Sequence, residues 1–243
     1  MLSNKQKKYV NALKLKKHRI EQAAFVVEGE KMVKELLNSN VEVTHVFGTE
    51  SIDTPHFIAV TEKELAAISS LKTPHKFLAV ARQNTAPSIA VDHFTIALDN
   101  IQDPGNLGTI IRIADWFGIK HIVCSLNSVD VFNPKVIQAT MGSLFRVHVH
   151  YVNLLHFFNQ HKGLNVYGAV LNGKNIYKTT LEQNNTVLLM GNESKGISEN
   201  LKPFITHPIS IPQFGGAESL NVAAATAILC AEYRRTEEQP PSV

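Results

Sequence analysis

Cysteine and long apolar runs are both scarce in this sequence. Only two cysteines occur among the 243 residues, Cys124 and Cys230, and each lies within an apolar stretch. We expect both to be reduced core residues of a cytoplasmic protein. The longest apolar run, 222–231, spans about ten residues, which is too short to cross a bilayer. The basic N-terminus has no apolar stretch behind it, which argues against a signal peptide.

Several common functional motifs are also missing. The sequence has neither GxGxxG nor GxxxxGK[ST], which argues against a nucleotide- or dinucleotide-dependent enzyme. It also lacks GxSxG, the motif that carries the nucleophilic serine of a hydrolase triad, which argues against a hydrolase of that kind. The eleven histidines are scattered without metal-ligand spacing, and we expect no metal. With 44% hydrophobic and 19% charged residues, the composition is that of a soluble globular protein of one large domain or two small ones.

Basic charge is concentrated at the N-terminus. The chain has 24 basic and 21 acidic residues, yet its first 20 positions hold seven basic residues and no acidic one. These are Lys5, Lys7, Lys8, Lys14, Lys16, Lys17 and Arg19. Such clustering favours a segment that contacts RNA or DNA. The alternative is an amphipathic helix whose Val10, Leu13 and Leu15 face the core, and both can hold at once.

The first part of the chain predicts a small α/β domain. Helical patterns cover 30–38 and 62–69, and the second begins with a capping box formed by Thr61 and Glu64. Strand patterns cover 24–29, 42–47, 56–60 and 76–83. A polar, proline-containing stretch follows. We therefore assign residues 1–85 to a first domain and 86–92 to a linker.

From residue 94 onwards, strands and helices alternate regularly. The predicted strands are 94–99, 121–125, 146–152, 165–170, 186–190 and 207–211. Apolar strands alternating with helices imply a mostly parallel sheet covered on both faces. A helix rich in small residues covers about 220–235, which completes a second domain at 93–236, and we expect the tail 237–243 to be disordered.

Three polar loops follow strands of this second domain. Their sequences are NIQDPGNLG, GNESKGIS and PQFGGAESLN, and six of the 13 glycines lie in them. In open α/β sheets, ligands bind beyond the carboxyl ends of the strands. Each loop alone could be an ordinary turn, but three at one edge indicate a ligand site. It would offer Asn106, Arg112, Glu193, Ser219 and Asn221.

Arg112 is the single arginine in an otherwise almost wholly apolar helical stretch, six residues after Asn106. A guanidinium there must face an anion, a carboxylate or water. An ordinary structural explanation is a helical pair between Arg112 and Asp115, with Asn106 as the N-cap.

The blocks DPGNLGTIIRIAD, LLMGNESKGIS and ISIPQFGGAESLNVAAATA closely resemble, in order, the three motifs of the SpoU (TrmH-like) branch of the SPOUT superfamily. KVIQATMGSLFRV (135–147) resembles a fourth family segment. The similarity spans about 94–235. The first domain more loosely resembles the ribosomal-protein-like RNA-binding domain often fused to this catalytic domain. Family members are S-adenosylmethionine-dependent RNA ribose 2′-O-methyltransferases.

The resemblance implies an α/β fold with a C-terminal trefoil knot, a homodimer, and S-adenosylmethionine as cofactor. It places Gly191, Ile211 and Leu220 around the adenosyl group. Without the resemblance, Ile211 and Leu220 could simply be core residues. It also places Asn106, Arg112, Glu193, Ser219 and Asn221 at the polar active-site positions.

The resemblance further implies attack by a ribose 2′-hydroxyl on the sulfonium methyl group, and family proposals make the arginine the base. A guanidinium has a pKa above about 12, so we expect Arg112 instead to bind the adjacent phosphate and stabilise the developing alkoxide. The proton would pass to a phosphate oxygen, to water or to Glu193, and Glu193 could equally be a structural acceptor. Asn106, Ser219 and Asn221 would orient the loops and the 2′-hydroxyl.

The separate first domain favours ribosomal over transfer RNA, by family analogy. A non-catalytic RNA-binding protein of the same fold is the alternative, and binding of S-adenosylmethionine would distinguish the two.

Overall fold

The computed structural model describes residues 2–84, 87–89, 91, 93–182 and 184–236. The chain forms two compact units, Met1–Thr85 with Asp130–Phe145, and Ala86–Val129 with Arg146–Val243. The segment 130–145 lies within the predicted second domain by sequence but packs in the first unit. The predicted tail 237–243 and three positions of the predicted linker, 86, 90 and 92, lie outside the described residues.

The elements, numbered along the chain, are as follows. The helices are α1 Asn4–Ala12, α2 Lys16–Gln22, α3 Glu30–Leu37, α4 Glu62–Ala66, α5 Pro104–Trp116, α6 Pro134–Thr140, α7 Leu154–Gln160 and α8 Val222–Thr236. The strands are β1 Ala24–Glu28, β2 Val43–Gly48, β3 Phe57–Ala59, β4 Phe77–Arg82, β5 Thr95–Leu98, β6 His121–Ser125, β7 His148–Val152, β8 Asn165–Asn175, β9 Thr186–Met190 and β10 His207–Ser210.

The first unit is built on a four-stranded sheet in the order β1-β4-β2-β3, with only the β2–β3 pair parallel. Its strands are apolar almost throughout because both faces are covered. In β1, Phe25 and Val27 join a cluster with residues of α3 and α6, whereas Val26 joins another with residues of α1 and α4. The capping box predicted at Thr61 and Glu64 begins α4, which confirms that prediction.

The second unit is built on six strands in the order β10-β8-β9-β5-β6-β7, and every neighbouring pair is parallel. The predicted mostly parallel sheet is therefore confirmed. Helix α7 packs on one face through Phe157 and Phe158, and α5 contacts α8. Strand β8 continues to Asn175, beyond its predicted end at 170, and its last residues pair with β10. All six strands end at one edge, which is where the three polar loops begin.

The N-terminal segment has buried apolar side chains and exposed basic ones. Val10 and Leu13 are fully buried, as predicted, but Leu15 is 62% exposed, so the prediction that it faces the core is wrong. Arg19 is only 3% exposed and bonds Asp130 at 2.7 Å and the carbonyl oxygens of Leu13 and Lys14. Arg19 therefore links α2 to the turn before it and to Asp130, and it does not belong to the exposed basic surface of the first unit.

Both cysteines are buried and free, and burial raises the pKa of the Cys230 thiol to about 12. Burial also raises the pKa of the Cys124 thiol. Among the described helices, none combines the length and apolar character that a membrane span requires. Within the same residues, no group of three or more His, Cys, Asp or Glu side chains is arranged to hold a metal ion.

Candidate active site

Two of the polar loops at the sheet edge are joined directly to each other. Nδ2 of Asn192, in the loop after β9, donates to the carbonyl oxygen of Asn100, in the loop after β5, at 2.8 Å. The backbone N–H of Ser198 donates to Oδ2 of the buried Asp99 at 2.7 Å. These bonds hold the loops together at the carboxyl ends of β5 and β9.

Helix α5 begins earlier than the sequence indicated. Asp103 is its N-cap and accepts from the backbone N–H of Asn106 at 2.9 Å, with Pro104 at the first helical position. Proline suits that position because its missing N–H would have no partner inside the helix. Asn106 therefore lies in the first turn, and its interpretation as the N-cap is wrong.

The side chain of Asn106 joins residues from two other loops. Its Nδ2 donates to Oε1 of Glu193 at 2.7 Å, and its Oδ1 accepts from Nδ2 of Asn221 at 2.9 Å. Oδ1 of Asn221 accepts from the backbone N–H groups of Ala223 and Ala224 at the start of α8. That cap fixes the orientation of the Asn221 amide, which in turn fixes the Asn106 amide. Three of the predicted site residues thus form one directed hydrogen-bond chain.

The side chain of Arg112 is exposed and makes no hydrogen bond or ion pair within the described part of the chain. Asp115, its expected helical partner, instead binds Nε of Arg146 at 2.9 and 3.1 Å. A third contact joins Nη2 of Arg146 to Asp115 at 2.8 Å. The structural explanation of Arg112 as one half of a helical pair is therefore wrong.

The remaining predicted site residues lie in the loops as expected, but no hydrogen bond between described residues joins Ser219 to Asn106, Glu193 or Asn221. Ser219 is exposed two positions before Asn221, and Leu220 between them is 52% exposed. Ile211 follows β10 and is partly buried. Neither aliphatic residue is a fully buried core residue.

Gly191 has a local reason to be glycine. A Cβ at this position would lie 2.3 Å from the carbonyl carbon of Gly196 and 2.3 Å from the backbone nitrogen of Ile197. The backbone of residues 196 and 197 therefore passes too close to Gly191 for a side chain to fit. This close approach was not predicted from the sequence.

Two further residues shape the site and were missed. Asn100 has a positive φ of 59°, a conformation that asparagine adopts more readily than most residues. Asn192 uses its side chain in four hydrogen bonds. The Asp-Pro pair at 103–104 was a recognisable start for α5. Nothing local in the sequence indicated the bond between Asn192 and Asn100.

The chain was compared with known protein families. Residues 93–231 match the model of the SpoU rRNA Methylase family, and residues 4–79 match that of the MRM3-like substrate binding domain. The chain belongs to the SpoU rRNA methylase family. This confirms the family predicted from the three sequence blocks.

Three relatives of this SpoU chain each match more than nine tenths of its length. The 23S rRNA (guanosine(2553)-2′-O)-methyltransferase RlmP of Bacillus subtilis is 32% identical over 231 residues, covering 91% of this chain and 93% of RlmP. A TrmH-family protein from Porphyromonas gingivalis is 40% identical, with a TM-score of 0.89 and 97% and 99% coverage. An AdoMet-bound rRNA methyltransferase from Sinorhizobium meliloti is 31% identical, with a TM-score of 0.89 and 98% and 97% coverage.

Few side chains of this candidate site could accept or release a proton. Amide side chains such as those of Asn106 and Asn221 neither gain nor lose protons readily, and a guanidinium does not deprotonate in proteins. Within the hydrogen-bonded trio, Glu193 alone can accept a proton. Its two oxygens accept from Asn106 and Asn192, and a carboxylate retains further lone pairs.

Proposed function

We propose that this protein transfers the methyl group of S-adenosylmethionine to a ribose 2′-hydroxyl of ribosomal RNA. The observation that carries the proposal is the hydrogen-bond chain from Asn221 through Asn106 to Glu193, which joins the first turn of α5 to the loops after β9 and before α8. The names of the relatives support the reaction class, because RlmP is a 23S rRNA 2′-O-methyltransferase.

The residues present fit S-adenosylmethionine. An adenosyl group needs apolar side chains for its ring faces and main-chain groups for its polar edge. Leu220 presents a half-exposed aliphatic side chain directly before Asn221, and Ile211 is only partly buried. We propose that these two side chains and the main chain at Gly191 hold the cofactor. When bound, the cofactor supplies a methyl group on a positively charged sulfur.

Arg112 is proposed to bind the RNA phosphate next to the target ribose. Its guanidinium is exposed and unpaired within the described residues, so it can meet an anion with its planar set of donors. The same positive charge would stabilise the 2′-oxygen as negative charge develops on it. Ser219, exposed in the loop before α8, is proposed to orient the hydroxyl.

Glu193 is proposed to take the proton of the 2′-hydroxyl as that oxygen bonds to the methyl carbon and the carbon–sulfur bond breaks. Asn106 and Asn221 each retain one amide hydrogen that no described bond uses, and these can orient the hydroxyl. The carboxylate is a better acceptor than its neighbours because they are amides.

The first unit is proposed to bind the RNA outside the reacting nucleotide. Five lysines of its first two helices are exposed: Lys5, Lys7, Lys8, Lys16 and Lys17. Clustered lysines bind phosphate groups without regard to base sequence. The match to the MRM3-like substrate binding domain supports this role.

The trefoil knot, the homodimer and the cytoplasmic location remain parts of the proposal. The family resemblance implies the knot and the homodimer. Trp116 supports a protein partner, because it is 85% exposed at the end of α5, and large exposed aromatic residues are typical of interfaces.

The test is methyl transfer from labelled S-adenosylmethionine to ribosomal RNA, followed by mapping of linkages that resist alkali. We expect incorporation at a 2′-hydroxyl, with little left in Asn106→Ala and Glu193→Gln. Calorimetry of S-adenosylmethionine binding separates this function from the non-catalytic alternative. Absence of both heat and thermal protection by the cofactor would favour an RNA-binding protein without catalysis.

A further inference from the structure

Asn192 precedes Glu193 and uses every hydrogen-bonding position of its side chain. Its Oδ1 accepts from the backbone N–H groups of Ser194 at 3.0 Å and Lys195 at 3.1 Å. Its Nδ2 donates to the carbonyl oxygen of Asn100 at 2.8 Å and to Oε2 of Glu193 at 3.3 Å. An asparagine amide offers two acceptor and two donor positions, and all four are occupied.

This set of bonds fixes the orientation of the Asn192 amide. If the amide were flipped, its NH₂ group would face two backbone N–H donors, and its oxygen would face a carbonyl and a carboxylate. The nitrogen of the Asn192 amide, and not its oxygen, therefore faces Asn100 and Glu193. Because one of them reaches Asn100, the amide is anchored to the loop after β5 as well as to its own loop.

The carboxylate of Glu193 is exposed, and a glutamate side chain in solvent samples many rotamers. Asn192, from the same loop, and Asn106, from the first turn of α5, hold one carboxylate oxygen each. Loss of the Asn192 donor would leave Glu193 tied only by Asn106. The Asn106 amide would keep both of its bonds, but Glu193, one of its two partners, would be held less firmly.

From these contacts we infer that Asn192 is a positioning residue, which holds the Glu193 carboxylate and, through it, the Asn106 amide in the geometry of the reaction. The inference rests on the proposed function, in which Glu193 accepts the proton. It adds a residue whose side-chain hydrogen-bonding positions are all used within the chain.

Asn192→Asp tests this role by removing the two donated hydrogen bonds. Aspartate keeps an oxygen that can accept from Ser194 and Lys195, but it cannot donate to Asn100 or Glu193. Three other bonds keep the loop folded: the two backbone bonds exchanged by residues 192 and 196, and the bond from the backbone N–H of Ser198 to Asp99. Asn192→Ser is the uncharged companion, since a serine hydroxyl also accepts from the backbone two residues on.

Asn153→Asp and Asn153→Ser are matched controls in the same unit. Asn153 caps α7 by accepting from the backbone N–H of His156, and both replacements can do the same. All four variants are expected to melt within about 4 °C of the wild-type protein. Hydrogen exchange should show the amides of Ser194 and Lys195 still protected in Asn192→Asp.

The decisive measurements are steady-state methylation of ribosomal RNA and the side-chain amide resonances of Asn106. We expect both Asn192 variants to lower kcat by about tenfold or more, because small misplacements of reacting groups are costly, while KM for RNA changes by less than about twofold. The Asn106 amide resonances should move in both Asn192 variants and stay in place in the Asn153 controls.

A wild-type kcat in both Asn192 variants would overturn the inference, as would unmoved Asn106 resonances. A fall in kcat that accompanies lost protection of Ser194 and Lys195 would also overturn it, because the role would then be only structural. If the wild-type protein transfers no methyl group, the proposed function fails. The Asn106 resonances still decide whether Asn192 sets the geometry.

Discussion

Asp115 is held by Arg146 through both of its carboxylate oxygens, at 2.9 and 3.1 Å from Nε, although Arg112 lies one helical turn away on α5. The pair between Arg146 and Asp115 uses several charge-assisted hydrogen bonds. It is therefore stronger than a helical pair between Asp115 and Arg112, three residues before it, would be. The arrangement leaves Arg112 charged, exposed and unpaired among the described residues. Such a residue contributes little to stability and is available to a ligand.

Arg112→Lys is therefore predicted to reduce kcat/KM for RNA by about 100-fold or more, because lysine keeps the charge but loses the planar set of donors. The melting temperature should not change. Arg235→Lys, an exposed arginine of α8 paired with Glu232, is the control and should methylate normally. Near-normal turnover by Arg112→Lys would contradict the role assigned to the guanidinium.

Arg19→Met is predicted to lower the free energy of unfolding of the first unit by about 3–5 kcal/mol. The change leaves Asp130 without its cation and two carbonyl oxygens, those of Leu13 and Lys14, without their donors. Urea unfolding followed by circular dichroism measures the effect. A loss below about 1 kcal/mol, the value for a surface pair, would show that the buried pair matters little.

Lys16→Met, on the same helix, is predicted to behave in the opposite way. The side chain of Lys16 is exposed and makes no hydrogen bond or ion pair within the described ranges, so stability should be unchanged. Affinity for RNA should fall, and the slope of log K against log salt should become shallower by about one, because one phosphate contact is lost. Salt-dependent binding of ribosomal RNA fragments measures this. An unchanged slope would place the RNA elsewhere.

Gly191→Ala is predicted to destabilise the protein by about 1–3 kcal/mol and to weaken binding of S-adenosylmethionine, because the new Cβ would overlap backbone atoms of residues 196 and 197. Gly215→Ala is the matched control in the loop after β10, where a Cβ would meet nothing within 4 Å. Calorimetry and thermal unfolding report both effects. Equal behaviour of the two variants would argue against the close approach at Gly191.

Stability should depend on pH through His150. Burial, followed by the charges of His121 and His148, lowers the pKa of His150 to about 4. In the unfolded chain a histidine has a pKa of about 6.5, so the unfolded state binds more protons between these values. Stability should therefore fall as the pH decreases from about 6.5 to about 4, and His150 should have no such effect above that range.

His150→Asn should flatten this part of the stability curve, measured by urea unfolding at several pH values. His156→Gln, which removes an exposed histidine on α7, is the comparison. A curve as steep in His150→Asn as in the wild-type protein would assign the dependence to other groups.

Much of the fold follows from local patterns. The apolar strands β6 and β9 lie where they were predicted, because a buried parallel strand is apolar throughout and bounded by polar loops. The capping box at Thr61 is equally local. Such features depend on residues close together in the chain, so one sequence is enough to place them.

The choice of side-chain partners was harder to predict. Asn106 and Glu193 are 87 positions apart, and Arg19 and Asp130 are 111 apart. Arg19 looked like one more member of a basic segment until three acceptors were found around it. The resemblance to a family supplied Asn106, Glu193 and Asn221 as a set, but the direction of the bonds between them required coordinates.

Residues 130–145 pack in the first unit, and this determines which fragments of the protein can be expressed separately. Phe132 packs against Phe25 with tilted rings whose centroids are 4.8 Å apart, and the buried Ile137 belongs to the same core cluster as Phe25 and Val43. A polypeptide ending at residue 85 would lack both covering side chains and leave an apolar face in water, which promotes aggregation. Expression of the first unit as a fragment would need residues 130–145, which lie within the stretch that matches the SpoU family model.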